Sequence, residues 1–283
     1  MSDAVLYDVQ GPQARRRVLI GSAIGVVLLL AVLAVVVQRL AANGQFDREL
    51  YAPFWEQPAL YDRLLEGLRG TLIAAAYALV LASLLGVLLA FGRLSRSAVV
   101  RVPSVAIVEL FRALPLLLVI LGLFLAWPVV VGSRLPPLYA LVIGLTLYNG
   151  AVIAEIVRAG IVSLPRGQSE AAMSIGLGRG QTLRLVMLPQ AIRIMLPALI
   201  SQLVVLLKDT SLGFVISYLE LLRSAQRVVQ NLDNPLQLFT FVALVYIVIN
   251  MSLSYLATVV ERRQRRTMGA SAAAAAQDVG ESA

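Results

Sequence analysis

The residues of this sequence whose types could do chemistry are ionisable and hydrogen-bonding side chains set inside otherwise uncharged runs. Lys208 and Asp209 interrupt one apolar run near its middle, Glu109 and Arg112 interrupt another, and Glu155 and Arg158 close a third. Charges in such places are costly, and they usually face a bundle interior or a water-filled path. Neighbouring positions on a helix point about 100° apart, so Lys208 and Asp209 each need a different partner. Lys208 either meets a substrate carboxylate or a gate, or forms a structural ion pair with another span; the same two readings hold for Asp209. Glu109 and Arg112 share a helical face and can bridge locally, with substrate contact open for both, and Glu155 with Arg158 repeats the spacing. Asn149 beside Gly150, and Thr210 beside Ser211, add uncharged groups where a broken helix could expose backbone to a ligand. For Asn149 an interhelical hydrogen bond is the competing role.

Other chemistry is excluded by absence. The 283 residues contain no Cys and no His, which removes disulfide frameworks, Cys/His zinc sites and imidazole acid–base catalysis. The glycine-rich run Gly176 to Gly180 lacks the Gly-Lys-Ser/Thr ending of a phosphate loop, and Lys208 is the single lysine of the chain. Any ATP hydrolysis therefore belongs to another polypeptide. The chain itself is expected to be no enzyme and to need no cofactor.

The elements that position these residues are membrane helices. Hydrophobic residues make up 59% and charged residues 14% of the sequence, and mean hydropathy is +0.83. Several uncharged runs exceed the roughly 20 residues that cross a hydrocarbon core about 30 Å thick. The expected fold class is an all-α polytopic bundle of about six transmembrane helices in contact with lipid. The first, residues 18–38, follows Arg15, Arg16 and Arg17; it is too long for a signal-peptide core and is read as a retained span. Residues 39–69 form an extracytoplasmic connector with Tyr51, Phe54 and Trp55 as interfacial aromatics. The second span is 70–92; the third, 102–133, is one helix kinked at Pro115; the fourth is 135–154, the fifth 194–219 and the sixth 234–260.

The net charge of +8 follows membrane topology rather than nucleic-acid binding, since no basic helix or aromatic-studded strand stands apart from the spans. With six spans, fifteen arginines fall on the side of the termini and seven on the other. That bias puts both termini in the cytoplasm. Residues 1–17 form the cytoplasmic N-terminus, 159–193 a cytoplasmic loop, and 263–283 an Ala/Ser-rich tail without periodicity, read as disordered.

That loop reads LPRGQSEAAMSIGLGRGQTLRLVMLP from Leu164 to Pro189. Ser169 can cap a helix whose first turn holds Glu170. Gly176, Gly178 and Gly180 interrupt it, and residues 181–187 form a second short helix before Pro189. The loop resembles the signature of the permease subunits of ATP-binding-cassette importers: Glu-Ala-Ala, three residues, Gly, nine residues, Ile, one residue, Leu-Pro. Glu170, Ala171, Ala172, Gly176, Val186, Leu188 and Pro189 fall on those places, with Val186 for Ile the one departure. The stretches 109–115, 144–158, 160–168 and 206–212 resemble the polar amino-acid branch in particular, with Ala113 where a glycine usually follows ELFR. The likeness covers roughly residues 60 to 262 and leaves the first span and the tail aside.

What the resemblance implies is a type I importer permease domain over 70–262, working with partners. An ATPase dimer binds beneath two permease subunits, this chain and a second copy or homologue. Each Glu-Ala-Ala helix enters an ATPase groove, with Glu170 facing a basic residue, Ala171 and Ala172 allowing close approach and Gly176 making the turn. An extracytoplasmic solute-binding protein delivers a polar amino acid, with a mild preference for acidic ones because Lys208 and Arg112 could each meet a carboxylate. The rival reading is a secondary transporter driven by an ion gradient, with Lys208 and Asp209 as coupling charges; the internal repeats it would need are not found.

Overall fold

The computed structural model describes residues 11–232 and 234–281, so the first ten residues of the expected N-terminal segment lie outside the description. The chain divides into two compact units, Met1–Glu56 and Gln57–Ala283. In the first, α1 (Pro12–Ala42) opens on a proline at its first turn and ends where Asn43 donates to the Arg39 carbonyl at 2.7 Å. Two single-turn helices follow, α2 (Arg48–Tyr51) and α3 (Pro53–Glu56), so the connector is helical in part.

The second unit is built around α4 (Pro58–Leu94) and α7 (Pro137–Val162), its most closely associated pair. Their contact is made by small residues: Ala74, Ala78, Ala82 and Ala90 on α4 are fully buried, as are Ala151 and Ala154 on α7. Without a hydrophobic force between helices in lipid, such faces associate by close van der Waals approach. Gly86 marks the tightest point, since a Cβ there would lie 2.9 Å from the Gly150 carbonyl oxygen and 2.6 Å from Ile153. Helix α4 starts twelve residues before the expected span, because Pro58 pre-sets the first turn and the charged stretch after it continues the same helix.

The third expected span is two helices rather than one kinked helix. α5 (Ala98–Ala113) and α6 (Leu116–Val131) meet at 100°. Pro115 drives Leu114 out of the helical region, to φ −84° and ψ 136°, and Pro115 itself is extended, which breaks the run entirely. Among the described residues, five helices are long and apolar enough to cross a membrane, or six if this bent pair is one span.

After α7 come α8 (Arg166–Ser174), α9 (Arg179–Gln181), a π-helical turn over Thr182–Met187, α10 (Leu188–Asp209) and a 3-10 segment over Thr210–Ile216. The second short loop helix and the fifth span are thus one run, contrary to the expected break at Pro189. The π turn has i→i+5 bonding and absorbs the proline that an α-helical interior would reject. α11 (Leu221–Leu232) and α12 (Pro235–Glu281) complete the chain. Where a structureless tail is expected from residue 263, the backbone of α12 continues as helix through an alanine-rich stretch, alanine having the highest helix propensity.

Candidate coupling helix and membrane cavity

α8 begins three residues earlier than the sequence suggests. Pro165 occupies the cap position and Gln168 N–H donates to its carbonyl at 3.1 Å, while Ser169 donates back to the Arg166 carbonyl at 2.9 Å instead of capping. Glu170 therefore sits in the second turn, where the helix dipole does little for it. Its side chain is exposed and forms no ion pair among the described residues; Ala171 is exposed beside it, and Ala172 faces inward and is buried. Gly176 ends the helix at φ +85°, a left-handed conformation that L side chains rarely adopt, although space around it is open. Beyond the turn, Gly178 N–H donates to Gln181 Oε1 at 2.9 Å and starts α9. α8 packs on the π turn, which leads without a break into α10.

At the other end of that run, α10 changes to 3-10 geometry at Thr210, the discontinuity that Thr210 and Ser211 suggested. Their hydroxyls donate to the carbonyls of Leu207 (2.6 Å) and Lys208 (2.7 Å). The segment ends at Ser217, whose φ of +62° is left-handed. Lys208 and Ser211 face a cavity of about 720 Å³ whose remaining wall is largely α12, including Tyr246 and Asn250. Lys208 is exposed and forms no ion pair among the described residues, so the structural pairing considered for it is not made. Asp209 and Thr210 are not among the residues that line this cavity; Asp209 is likewise without an ion pair among the described residues.

The other sequence candidates lie elsewhere. Asn149 is fully buried, donates to the Leu145 carbonyl at 3.0 Å and accepts from Gln202 Nε2 at 2.7 Å, an interhelical bond between α7 and α10. Glu109 and Arg112 do bridge, at 3.7 Å, but as part of a five-charge cluster joining α4, α5 and α7. Glu155 is its hub, 2.5 Å from Arg158, 2.7 Å from Arg93 and 3.8 Å from Arg112, while Arg93 also reaches Glu109 at 3.3 Å. The cluster locks helix ends together at the loop side and shares no residue with the cavity.

Sequence reasoning missed Gln202, Glu220, Tyr246 and Asn250. The signal was present for Gln202 and Asn250, each an amide in an apolar run, and for Glu220, a single acid in SYLELL. Glu220 is fully buried in the turn before α11. Burial pushes its carboxyl above the ordinary range, opposed by hydrogen bonds from Leu222 and Arg223 N–H and from Tyr246.

Residues 82–266 match the family described as binding-protein-dependent transport system inner membrane component. The chain is 43% identical over 229 residues to the glutamate transport system permease protein of Corynebacterium glutamicum, covering 80% of this chain and 84% of that one. It is 38% identical over 224 residues to a probable glutamine ABC transporter permease protein of Bacillus subtilis, covering 78% of this chain and 98% of that one. A chain from the crystal structure of an amino acid ABC transporter with histidines superposes with a TM-score of 0.69 at 30% identity, over 72% of this chain and 94% of that one.

Proposed function

The chain belongs to the family of binding-protein-dependent transport system inner membrane components, and from that membership we propose that it is the permease subunit of an ATP-driven importer for polar amino acids, with a preference for acidic ones. As a multi-pass ABC permease it is not itself an ATPase. Its partners are two ATPase subunits, a second permease copy or homologue, and an extracytoplasmic solute-binding protein, with both termini of this chain in the cytoplasm.

One observation carries the mechanism: α8, the π turn, α10 and the 3-10 segment form a connected train with Glu170 at one end and the cavity with Lys208 at the other. A displacement of α8 by a closing ATPase is thereby delivered to the cavity, and access alternates between the two membrane faces. The cavity is the substrate path in this reading. Among the described residues its wall holds Lys208 as a cation and no carboxylate, which favours a substrate with net negative charge. An ion-gradient transporter would be better served by an acid in the path, and Asp209 does not line it.

Co-expression with a cognate ATPase subunit is expected to yield a stoichiometric complex on purification of either chain; recovery of each alone would overturn the assignment. The orientation is checked with single cysteines, which the Cys-free sequence makes clean. Gln168→Cys and Met268→Cys are expected to be protected from an impermeant thiol reagent outside intact cells, while Asp47→Cys and Gln230→Cys react. Labelling at position 168 from outside would contradict both the orientation and the coupling role of the loop.

A further inference from the structure

A hydroxyl on a membrane helix can satisfy itself on its own backbone. Thr71, Ser104, Thr240 and Ser252 do so, each donating to the carbonyl four residues back at 2.6 to 3.2 Å. Ser201 on α10 and Ser254 on α12 do not: both are exposed, and neither hydroxyl has a partner among the described residues. The two serines line a second cavity, of about 340 Å³, together with Pro197, Lys208 and Thr258. Lys208, Ser254 and Thr258 also line the larger cavity, so one set of side chains borders both.

The larger cavity reaches Leu222 and Phe239 towards α11, and the smaller one reaches Pro197 towards α8. The lined stretch of α12, from Phe239 to Thr258, is about 28 Å long at the rise of an α-helix, close to the roughly 30 Å of a hydrocarbon core. On α10, Ser201 lies two turns, about 10 Å, from Lys208 and on the same face. In hydrocarbon an uncommitted hydroxyl or an unpaired ammonium is costly, so a cleft holding Lys208 and both serines suits water and a solute better than acyl chains. These three groups all have a hydrogen to donate. Thr258 differs, having given its hydrogen to the Ser254 carbonyl at 2.9 Å. Among the described residues no Asp or Glu lines either cavity. A cation flanked by two free hydroxyl donors is complementary to a carboxylate.

We propose that Ser201 and Ser254, together with Lys208, form a second carboxylate site on the α8 side of the path. The substrate's carboxylate meets Lys208 in the larger cavity, gains the two hydroxyl donors in the smaller one and leaves past Pro197. Because Lys208 borders both, the carboxylate keeps its cation through the transfer. This rests on the reading that the larger cavity is the substrate path.

The test is equilibrium binding of L-glutamate to the purified permease–ATPase complex in detergent, without nucleotide or solute-binding protein. Ser201→Ala and Ser254→Ala are each expected to weaken L-glutamate about tenfold, as for loss of a hydrogen bond to a charged group, with no fall in thermal stability. Ser252→Ala, which removes a hydroxyl bonded to its own helix and lining neither cavity, should bind as wild type. In proteoliposomes, Ser201→Cys and Ser254→Cys are expected to react with a water-soluble anionic thiol reagent and to be protected by saturating L-glutamate. Wild-type affinity in either alanine variant, or labelling that L-glutamate does not slow, would overturn the site and leave the cavity reading in place. Failure of both cysteines to react would show the cleft filled by lipid or a neighbouring chain and would overturn the site. A wild-type complex that binds no L-glutamate would overturn the cavity reading and the site with it.

Discussion

Glu170→Lys is expected to abolish ATP-dependent uptake while the chain still inserts and folds. Glu170 is exposed on α8 and makes no ion pair among the described residues, so its charge stabilises nothing within the chain that reversal would break. Reversal instead sets a cation against the basic groove expected on an ATPase, and like charges at a desolvated contact are repelled by several kcal/mol, on the order of a thousandfold in affinity. Gly176→Val should act through the backbone alone: space is open there, but φ of +85° costs a β-branched residue on the order of 1–2 kcal/mol, enough to reorient α8. Asn tolerates that conformation, so Gly176→Asn should retain more activity than Gly176→Val. Pull-down of the ATPase and uptake in vesicles check both. Normal co-purification with Glu170→Lys would remove α8 from the coupling mechanism.

Lys208→Met should reduce uptake by about ten- to hundredfold, the worth of roughly 1.5–3 kcal/mol for a hydrogen bond to a charged group. Folding should be spared. A buried ion pair broken on one side typically loses about 3–5 kcal/mol, but Lys208 is exposed to the cavity and has no such pair among the described residues. Basal ATPase activity of the assembled complex should persist, since α8 is untouched. Thermal stability in detergent and uptake in proteoliposomes are measured on the same variant. A large loss of stability with a proportionate loss of complex would make Lys208 structural, and unchanged uptake would remove it from the path.

The helical class and the short loop helix α8 were legible because their signals are local: uncharged runs of spanning length, and a glycine whose φ is positive where the turn was expected at Gly176. Boundaries failed where proline acts in two ways. Pro115 breaks its helix because its neighbour is forced into extended geometry, whereas Pro189 is absorbed by a π turn that no residue type announces. The polar partners were illegible for a different reason. Gln202 meets Asn149 from 53 positions away, and Glu220 meets Tyr246 from 26, distances at which only the packing of helices decides who touches whom. Lys208 and Ser211 stood out in the sequence as polar groups in an apolar run, and the fold sets both on the wall of the cavity.

In the proposed function, movement of amino acid through this chain is driven by ATP on a partner subunit. The most direct measurement is uptake of radiolabelled L-glutamate and L-glutamine into proteoliposomes holding the purified permease–ATPase complex, with the matching solute-binding protein outside and ATP enclosed. The expected result is accumulation that requires enclosed hydrolysable ATP, persists after ionophores collapse every ion gradient, and disappears with Glu170→Lys. Accumulation by this chain without the ATPase, driven by an imposed ion gradient and insensitive to Glu170→Lys, would contradict it.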